Sequence, residues 1–310
     1  MTLPIPEPRA QGYTASTPVP LYWVRYGPAG APPLVVLHGG PGADHCYLLP
    51  QMLQLADRYE MLFYDQRGGG RSQTADRAAI TWRTHVDDLA ALVRELAIDP
   101  LSLVGYSWGG LLAMLYAIGA SASDPAGAAG APPRPARLLL LDPAPVNRRL
   151  RDVFEAELAR RQQSEPVRAM RDALAASGLR ERDPAAFRQR AFEISVAGYF
   201  ARPERAHDLT PFRVIARVQQ SVWESLNDYD LVPALRTVAT PTLIVHGRND
   251  PIPLESSRLA VGAMPDARLV ELDDCGHVPY VEAPIPLFSA MRHFLSEHDE
   301  HLPRESHVTR

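Results

Sequence analysis

The 310-residue chain contains no lysine, and all 32 of its Lys-plus-Arg positions are arginine. A Schiff-base enzyme, a Walker-type phosphate loop and a Ser-Lys dyad each need a lysine, so this absence excludes all three. Cysteine is also rare, and Cys46 and Cys275 are the only two in the sequence. The sequence also lacks a C-x-x-C pair and an H-E-x-x-H motif. An ordinary zinc site is therefore unsupported, and we predict no metal and no cofactor.

Long apolar runs and blocks of like charge are missing as well. No apolar run approaches the roughly 20 residues that span a bilayer, and residues 1–6 lack the basic and apolar regions of a signal peptide. The formal net charge is −4 without a basic block, so we expect neither nucleic acid nor a membrane as a partner. Together with the scarcity of cysteine, these features predict a cytoplasmic protein.

Short runs rich in Val, Ile and Leu recur along the chain, with helical patterns between them. Such runs are typical of parallel strands that are buried on both faces. Their alternation with helices predicts an α/β fold with a mostly parallel, doubly wound sheet. The predicted strands are 21–26, 33–37, 61–64, 101–104, 137–141, 242–245 and 268–272. The predicted helices between them are 48–58, 84–96, 109–122, 254–263 and 286–296.

The interval 143–235 contains no predicted strand. We interpret it as a helical cap inserted between two sheet strands, because ligands bind at the carboxyl ends of the strands that such an insertion follows. A solvated helical appendage is the alternative. The sheet domain then comprises 1–142 and 236–310. A flexible loop is predicted at 121–135, and loose ends over the first ~18 and last ~10 residues. The predicted cap helices are 150–163, 167–176, 185–197 and 214–226.

Residues 105–110, Gly-Tyr-Ser-Trp-Gly-Gly, match the pattern G-x-S-x-G at a predicted strand-to-helix turn. The glycines permit a turn sharp enough to lift the Ser107 hydroxyl out of the sheet edge. The following helix aims its first amides at the place where negative charge would develop. We therefore predict that Ser107 is a nucleophile; a plain turn serine is the alternative.

A serine hydroxyl needs a base to take its proton, and the base needs an orienting acid. With a nucleophile at such a turn, the chain order is Ser, then Asp or Glu, then His. Asp250 and His277 each follow the carboxyl end of a predicted strand, which brings them to the same sheet edge as Ser107. We predict Asp250 as the acid and His277 as the base. The rival acids are Asp142, Asp273 and Asp274.

The chain has ten histidines, so His277 has nine competitors. His38 and His246 flank glycine turns, and we predict structural roles for both. Four others fall in the terminal helix or tail and are predicted to be solvated: His293, His298, His301 and His307.

The oxyanion of a tetrahedral intermediate needs two amide donors. The N–H of Trp108, the residue after the nucleophile, is predicted to supply one. Residues 38–42, His-Gly-Gly-Pro-Gly, follow an early predicted strand, and their three glycines allow an amide to turn toward the site. We predict Gly40 as the second donor and Gly39 as a substrate contact. A plain glycine-rich turn is the alternative.

Three segments together resemble the α/β-hydrolase branch that contains the proline iminopeptidases. The resemblance runs over roughly residues 20 to 142 and 228 to 295. It implies an α/β-hydrolase fold and a cofactor-free serine hydrolase whose triad is Ser107, Asp250 and His277. It also implies that Asp65 and Arg67 support the site by hydrogen bonding. The segments are 38–42 (HGGPG), 65–72 (DQRGGGRS) and 105–110 (GYSWGG).

This chain departs from the family at two places. Family peptidases commonly carry a glycine where this chain has Tyr106, and they hold the substrate's α-amino group on acidic cap residues. Such carboxylates meet a physical need, since a buried ammonium requires a paired carboxylate. The candidate amine-binding residues here are Glu193, Glu204 and Glu224. The candidate aromatic pocket residues are Trp108, Tyr199, Phe200, Trp223 and Tyr229.

We predict a serine hydrolase that acts through an acyl-enzyme and releases N-terminal proline, or a similar residue, from short peptides or amides. Its expected partner is thus a small-molecule or short-peptide substrate. One alternative is an esterase, amidase or lactonase with the same triad, and another is a non-catalytic ligand-binding protein. For an enzyme, activity should fall as acid protonates His277, near the ordinary histidine range of about 6 to 7.

Overall fold

The structure, a computed structural model, describes residues 5–75, 79–122 and 132–299. The predicted loop at 121–135 lies mostly outside the described residues. The predicted loose C-terminus, with His301 and His307, lies wholly outside them.

Within the described residues, eight strands form one sheet in the order β1-β2-β4-β3-β5-β6-β7-β8. β1 and β2 pair in antiparallel fashion, as do β2 and β4, and all other neighbours are parallel. The prediction of a mostly parallel sheet is confirmed. The strands are β1 (Ala10–Tyr13), β2 (Tyr22–Tyr26), β3 (Pro33–Leu37), β4 (Glu60–Tyr64), β5 (Ser102–Tyr106), β6 (Arg137–Leu141), β7 (Thr242–Gly247) and β8 (Ala267–Leu272).

Helices cover both faces of this sheet. Alternate residues of β5 divide between them: Leu103 packs in the cluster that contains Leu112, and Val104 packs in the cluster that contains Leu287. This period of two is the reason that the central strands read as continuous apolar runs. The helices outside the β6–β7 interval are α1 (Leu49–Met52), α2 (Trp82–Glu95), α3 (Trp108–Ala122), α10 (Leu254–Ala263), α11 (Pro279–Glu282) and α12 (Pro284–Asp299).

The interval between β6 and β7 is helical, and we call residues 143–235 the cap. The domain division at 143 and 235 stays a prediction. The cap helices are α4 (Arg148–Gln162), α5 (Glu165–Ala176), α6 (Leu179–Arg182), α7 (Pro184–Val196), α8 (Ala216–Leu226) and α9 (Val232–Leu235). The cap also contains the 3-10 helices Ala197–Tyr199 and Pro203–Asp208.

The prediction that the first ~18 residues form a loose end is wrong for Ala10–Tyr13, which form a strand. This strand, β1, pairs with β2 through a register that sets Ala10 against Arg25. Its side chains alternate between half-buried and exposed, so it has no continuous apolar run to reveal it. Across the described ranges, no helix combines the length and apolar character needed to cross a membrane.

Candidate active site

Ser107 lies at the turn between β5 and α3, with a backbone φ of +53°. That conformation is uncommon for a residue with a side chain, and neighbouring glycines make room for it. A Cβ added at Gly109 would lie 2.0 Å from the Leu37 carbonyl oxygen, and one at Gly105 would lie 2.4 Å from the Gly109 oxygen. The Ser107 N–H donates to the Leu141 carbonyl at 2.9 Å, which fixes the turn at the end of β6.

A series of hydrogen bonds joins the three residues that the sequence predicts as a triad. Ser107 Oγ lies 2.9 Å from His277 Nε2, and His277 Nδ1 lies 2.7 Å from Asp250 Oδ2. When Asp250 is ionised it can only accept, so Nδ1 then carries the proton and Nε2 is left to accept from the Ser107 hydroxyl. The other Asp250 oxygen accepts the Ile252 N–H at 2.7 Å. The parallel sheet thus brings together three residues that are far apart in sequence.

Two tyrosines form hydrogen bonds with the His277 backbone. The Tyr106 hydroxyl donates to the His277 carbonyl at 2.9 Å, and the His277 N–H donates to the Tyr199 carbonyl of the cap at 2.7 Å. Both rings lie 5.2 Å from the imidazole, centroid to centroid. Tyr106 occupies the family's glycine position, so this departure supplies a support for the imidazole that sequence reasoning missed.

The competing residues lie elsewhere. Asp273 and Asp274 are exposed, and Asp273 pairs with Arg248 at 3.2 Å. Both ring nitrogens of buried His246 are bonded, to the Ser257 hydroxyl and the Ile252 carbonyl. In buried His38, Nδ1 bonds to the Gly39 carbonyl and Nε2 accepts the Gln66 N–H. Asp142 is the exception, because it is buried beside Asp250.

The glycine loop and Trp108 flank Ser107. A Cβ on Gly39 would lie 3.0 Å from that of Ser107, and the Gly39 N–H already donates to the Tyr47 hydroxyl at 2.8 Å. Gly40 has a φ of +62°, and within the described residues its N–H has no acceptor. The Trp108 N–H is the first of α3 and so has no partner inside its own helix.

The segment at 65–72 forms hydrogen bonds with the glycine loop and the residues around it. Asp65 bonds to the His45 backbone N–H, and Arg67 makes a two-pronged pair with Asp88. Gln66 connects the two parts of the site most directly: its amide donates to the His38 carbonyl at 2.9 Å and accepts the Trp108 indole N–H at 2.7 Å. Sequence reasoning named Asp65 and Arg67 as supports and missed Gln66.

A cavity of about 720 Å³ opens over Ser107 between the sheet edge and the cap. Aromatic side chains form much of its wall, and a set of polar side chains from α4 and α8 lines it as well. The aromatic side chains are Tyr47, Tyr106, Trp108, Phe154, Tyr199, Phe212, Trp223 and Tyr280. The polar side chains are Arg148, Arg151, Glu155, Gln219, Gln220 and Glu224.

Some of the predicted cap residues line the cavity, and the others do not. Glu224 and Trp223 line the cavity, as does Tyr199, whereas Phe200 and Tyr229 pack in the core. Glu193 is buried inside the cap, where it accepts hydrogen bonds from Gln189 and Arg190. Glu204 is exposed, and neither it nor Glu193 lines this cavity. Their positions do not support the predicted substrate contact.

Glu155 is a cavity carboxylate that sequence reasoning missed. It pairs with Arg151 one helical turn earlier at 2.7 Å, and the Arg151 guanidinium lies 4.2 Å from the Trp223 ring centroid. Trp223 in turn contacts Trp108 edge to face at 5.4 Å. The i, i+4 spacing of Arg151 and Glu155 predicts their ion pair, but it does not predict that Glu155 lines the cavity.

Residues 34–290 match the model of the alpha/beta hydrolase family, and the chain belongs to that family. A proline iminopeptidase of Levilactobacillus brevis is 26% identical over 298 residues, which cover 86% of this chain and 89% of that protein. A proline iminopeptidase of Lactobacillus helveticus is 44% identical, but over 89 residues that span only 30% of its length and 27% of this chain.

Two solved structures show the same fold. The proline iminopeptidase of Mycobacterium smegmatis superposes with a TM-score of 0.66 at 22% identity, covering 94% of this chain and 99% of that one. The enol-lactonase of Burkholderia xenovorans LB400 gives a TM-score of 0.64 at 23% identity, covering 92% and 100%. The shared fold thus accommodates relatives with different named activities.

Proposed function

We propose that the protein is a serine hydrolase that works through an acyl-enzyme. The observation that carries the proposal is the hydrogen-bond series from Ser107 through His277 to Asp250, set beneath a cavity of about 720 Å³. In that order the imidazole can take the proton of the hydroxyl, which becomes a nucleophile, and the carboxylate orients and stabilises the imidazole.

In this mechanism, His277 Nε2 takes the proton of Ser107 as Oγ attacks the substrate carbonyl carbon. The oxyanion accepts hydrogen bonds from the Gly40 and Trp108 N–H groups. The tetrahedral intermediate collapses, the bond to the leaving group breaks, and His277 Nε2–H protonates that group. A water molecule then repeats the sequence on the acyl-enzyme, and Asp250 stabilises the imidazolium in both halves.

The acid side of the pH profile tests His277 as the base. Burial lowers the pKa of its imidazole to about 4, against about 6.5 for an ordinary histidine. His277 is a base only when neutral, so a lowered pKa preserves activity at lower pH. We expect kcat/KM to keep its plateau below pH 6.5 and to be halved nearer pH 4, which replaces the sequence-based expectation of 6 to 7. Half-activity at pH 6 to 7 would contradict this expectation.

We propose that the substrate is a short peptide or amide with an N-terminal proline or a similar residue. Glu155 and Glu224 line the cavity that Ser107 also lines and offer carboxylates to a protonated amine, while the aromatic walls suit an apolar ring. The curated proline iminopeptidase that matches most of the chain supports the same assignment.

Release of an arylamine from a proline arylamide tests this substrate. We expect turnover, and we expect replacement of both cavity carboxylates by glutamine, E155Q/E224Q, to lower kcat/KM for it by about tenfold or more, since a charge-assisted hydrogen bond to the amine is lost. The matched control is E204Q, which removes an exposed carboxylate away from the cavity and should have no such effect. Rapid cleavage of aryl esters without cleavage of the arylamide would contradict the peptidase assignment and leave the mechanism standing.

The second candidate substrate is a small ester, amide or lactone. Arg151 pairs with Glu155 at 2.7 Å, and Arg148 also lines the cavity, so the polar wall is not purely acidic. An electrically balanced wall favours an uncharged substrate. A panel of p-nitrophenyl esters of increasing acyl length, run beside the proline arylamide, separates the two: an esterase should discriminate among acyl lengths and leave the arylamide uncleaved, whereas a peptidase should cleave the arylamide.

A further inference from the structure

Two buried carboxyl groups lie side by side behind the imidazole. Asp142 follows β6 and Asp250 follows β7, and their relative exposures are 0% and 8%. One side-chain oxygen of each lies within 4.8 Å of the other and of a His246 ring nitrogen. Two buried carboxylates at such a separation cannot both be ionised without a large cost.

The hydrogen-bond partners of the two groups differ. Asp250 receives one donor on each oxygen, from Ile252 and His277. Asp142 Oδ1 accepts the Gly247 N–H at 2.8 Å, whereas its buried Oδ2 has no partner among the described residues. A buried charge without donors is costly. The negative charge is therefore better supported on Asp250, and the proton is better placed on Asp142.

His246 does not make this cluster a metal site. Its Nε2 lies 3.1 Å from the Ile252 carbonyl oxygen and must carry a proton to bond to it. Its Nδ1 lies 2.7 Å from the Ser257 hydroxyl, which can donate to it. Both nitrogens are thus engaged, and neither offers a free lone pair to a cation.

The surroundings of Asp142 favour its neutral form. Burial, and then the neighbouring Asp250 carboxylate, raise the pKa of Asp142 well above its ordinary value. His277 acts in the opposite direction. Burial also raises the pKa of Asp250, to about 8, but there the hydrogen bonds with Asp142 and with the Ile252 N–H act in the opposite direction, so the proton of the pair is better placed on Asp142. Other titratable or charged groups near the pair are Tyr106, Tyr280, Cys275, Glu282 and Arg161.

We propose that Asp142 is a positioning residue for the serine hydrolase proposed above: it stays a neutral carboxylic acid, donates its O–H to the Asp250 carboxylate, and thereby keeps the negative charge on Asp250, facing His277. The inference rests on the proposed function. Asp142 touches no substrate and no reacting atom, and it acts through Asp250. The proton stays on Asp142 throughout the cycle, so no step gains or loses one there.

Asn and Ala variants at position 142 separate this role from a purely structural one. D142A removes the donor, which makes the Asp250 carboxylate more basic and raises the pKa of His277. We expect kcat to fall by about 10- to 100-fold with KM nearly constant, and the acid limb to move to higher pH. D142N keeps an N–H donor, and Asn tolerates the φ of +41° at this position. We expect D142N to recover most of the lost rate and the original limb.

Two results would overturn the proposal. If D142N loses as much rate as D142A, the residue acts as a charged acid. If D142A lowers the melting temperature without moving the acid limb, its role is structural.

Infrared spectroscopy gives a readout that needs no activity. At pH 7 the wild-type chain should show the carbonyl stretch of a protonated carboxylic acid, and D142N should lack it. The matched control is E282Q, because burial also raises the pKa of Glu282, and this variant should keep the band. No band in the wild type refutes a neutral Asp142. Failure of the hydrolase proposal would be recognised separately, as a wild-type Ser107 that reacts with no fluorophosphonate.

Discussion

Replacing Ser107 by alanine is expected to lower kcat by about 10⁴-fold or more and to leave the fold intact. The change removes the attacking oxygen and its 2.9 Å hydrogen bond to His277 Nε2. It keeps the Cβ, so the backbone at φ +53° gains no new strain. Replacing His277 by alanine should cost a similar factor, because the hydroxyl then has no base. Steady-state kcat on the best substrate and the melting temperature of each variant check this.

The double variant S107A/H277A supplies the control. Residues that act as one unit are far from additive, so the double variant should be about as slow as either single one. Losses that multiply would contradict a shared role. So would an S107A variant that keeps its rate within about tenfold of wild type.

The second large effect is expected for Asp250→Asn, with kcat falling by about 10³- to 10⁴-fold. The two carboxylate oxygens of Asp250 accept the Ile252 N–H at 2.7 Å and His277 Nδ1–H at 2.7 Å. An asparagine amide has one oxygen, so one of those donors must face an N–H. If that donor is His277, the imidazole changes tautomer and Nε2 can no longer accept the serine proton.

Asp273→Asn is the matched control for this prediction. Asp273 is a rival acid in the sequence, but its side chain is 81% exposed and paired with Arg248. A loss of activity in D273N comparable to that in D250N would contradict the assignment of Asp250. Measuring kcat for both variants at one pH, with melting temperatures, decides between them.

The sequence predicts that Ser107, Asp250 and His277 meet at one sheet edge, for a physical reason. The turn at Ser107 needs space that only glycine leaves free, so Gly105 and Gly109 in the sequence indicate the turn. Asp250 and His277 follow strands, and parallel strands bring their carboxyl ends to one edge. Neither inference needs knowledge of a distant contact, and the hydrogen-bond series in the structure agrees with both.

The sequence does not predict which cap residues line the cavity. Which face of a cap helix meets the cavity depends on how the helices pack against the sheet, and sequence periodicity does not contain that information. Glu193 lies among Gln189 and Arg190 inside the cap, whereas Glu155 lines the cavity. The hydrogen bonds that position the site residues could not be predicted for a similar reason. Gln66 contacts Trp108 across a sequence separation of 42 residues, and Asp142 contacts Gly247 across 105 residues.

The most direct test of the central claim is labelling with a fluorophosphonate, followed by peptide mapping. An activated serine beside a neutral imidazole attacks the phosphorus and loses fluoride. We expect one adduct per chain, on Ser107, and no adduct in S107A. A wild-type chain that stays unlabelled, or that carries the adduct on another residue, would contradict the proposal that Ser107 is the nucleophile.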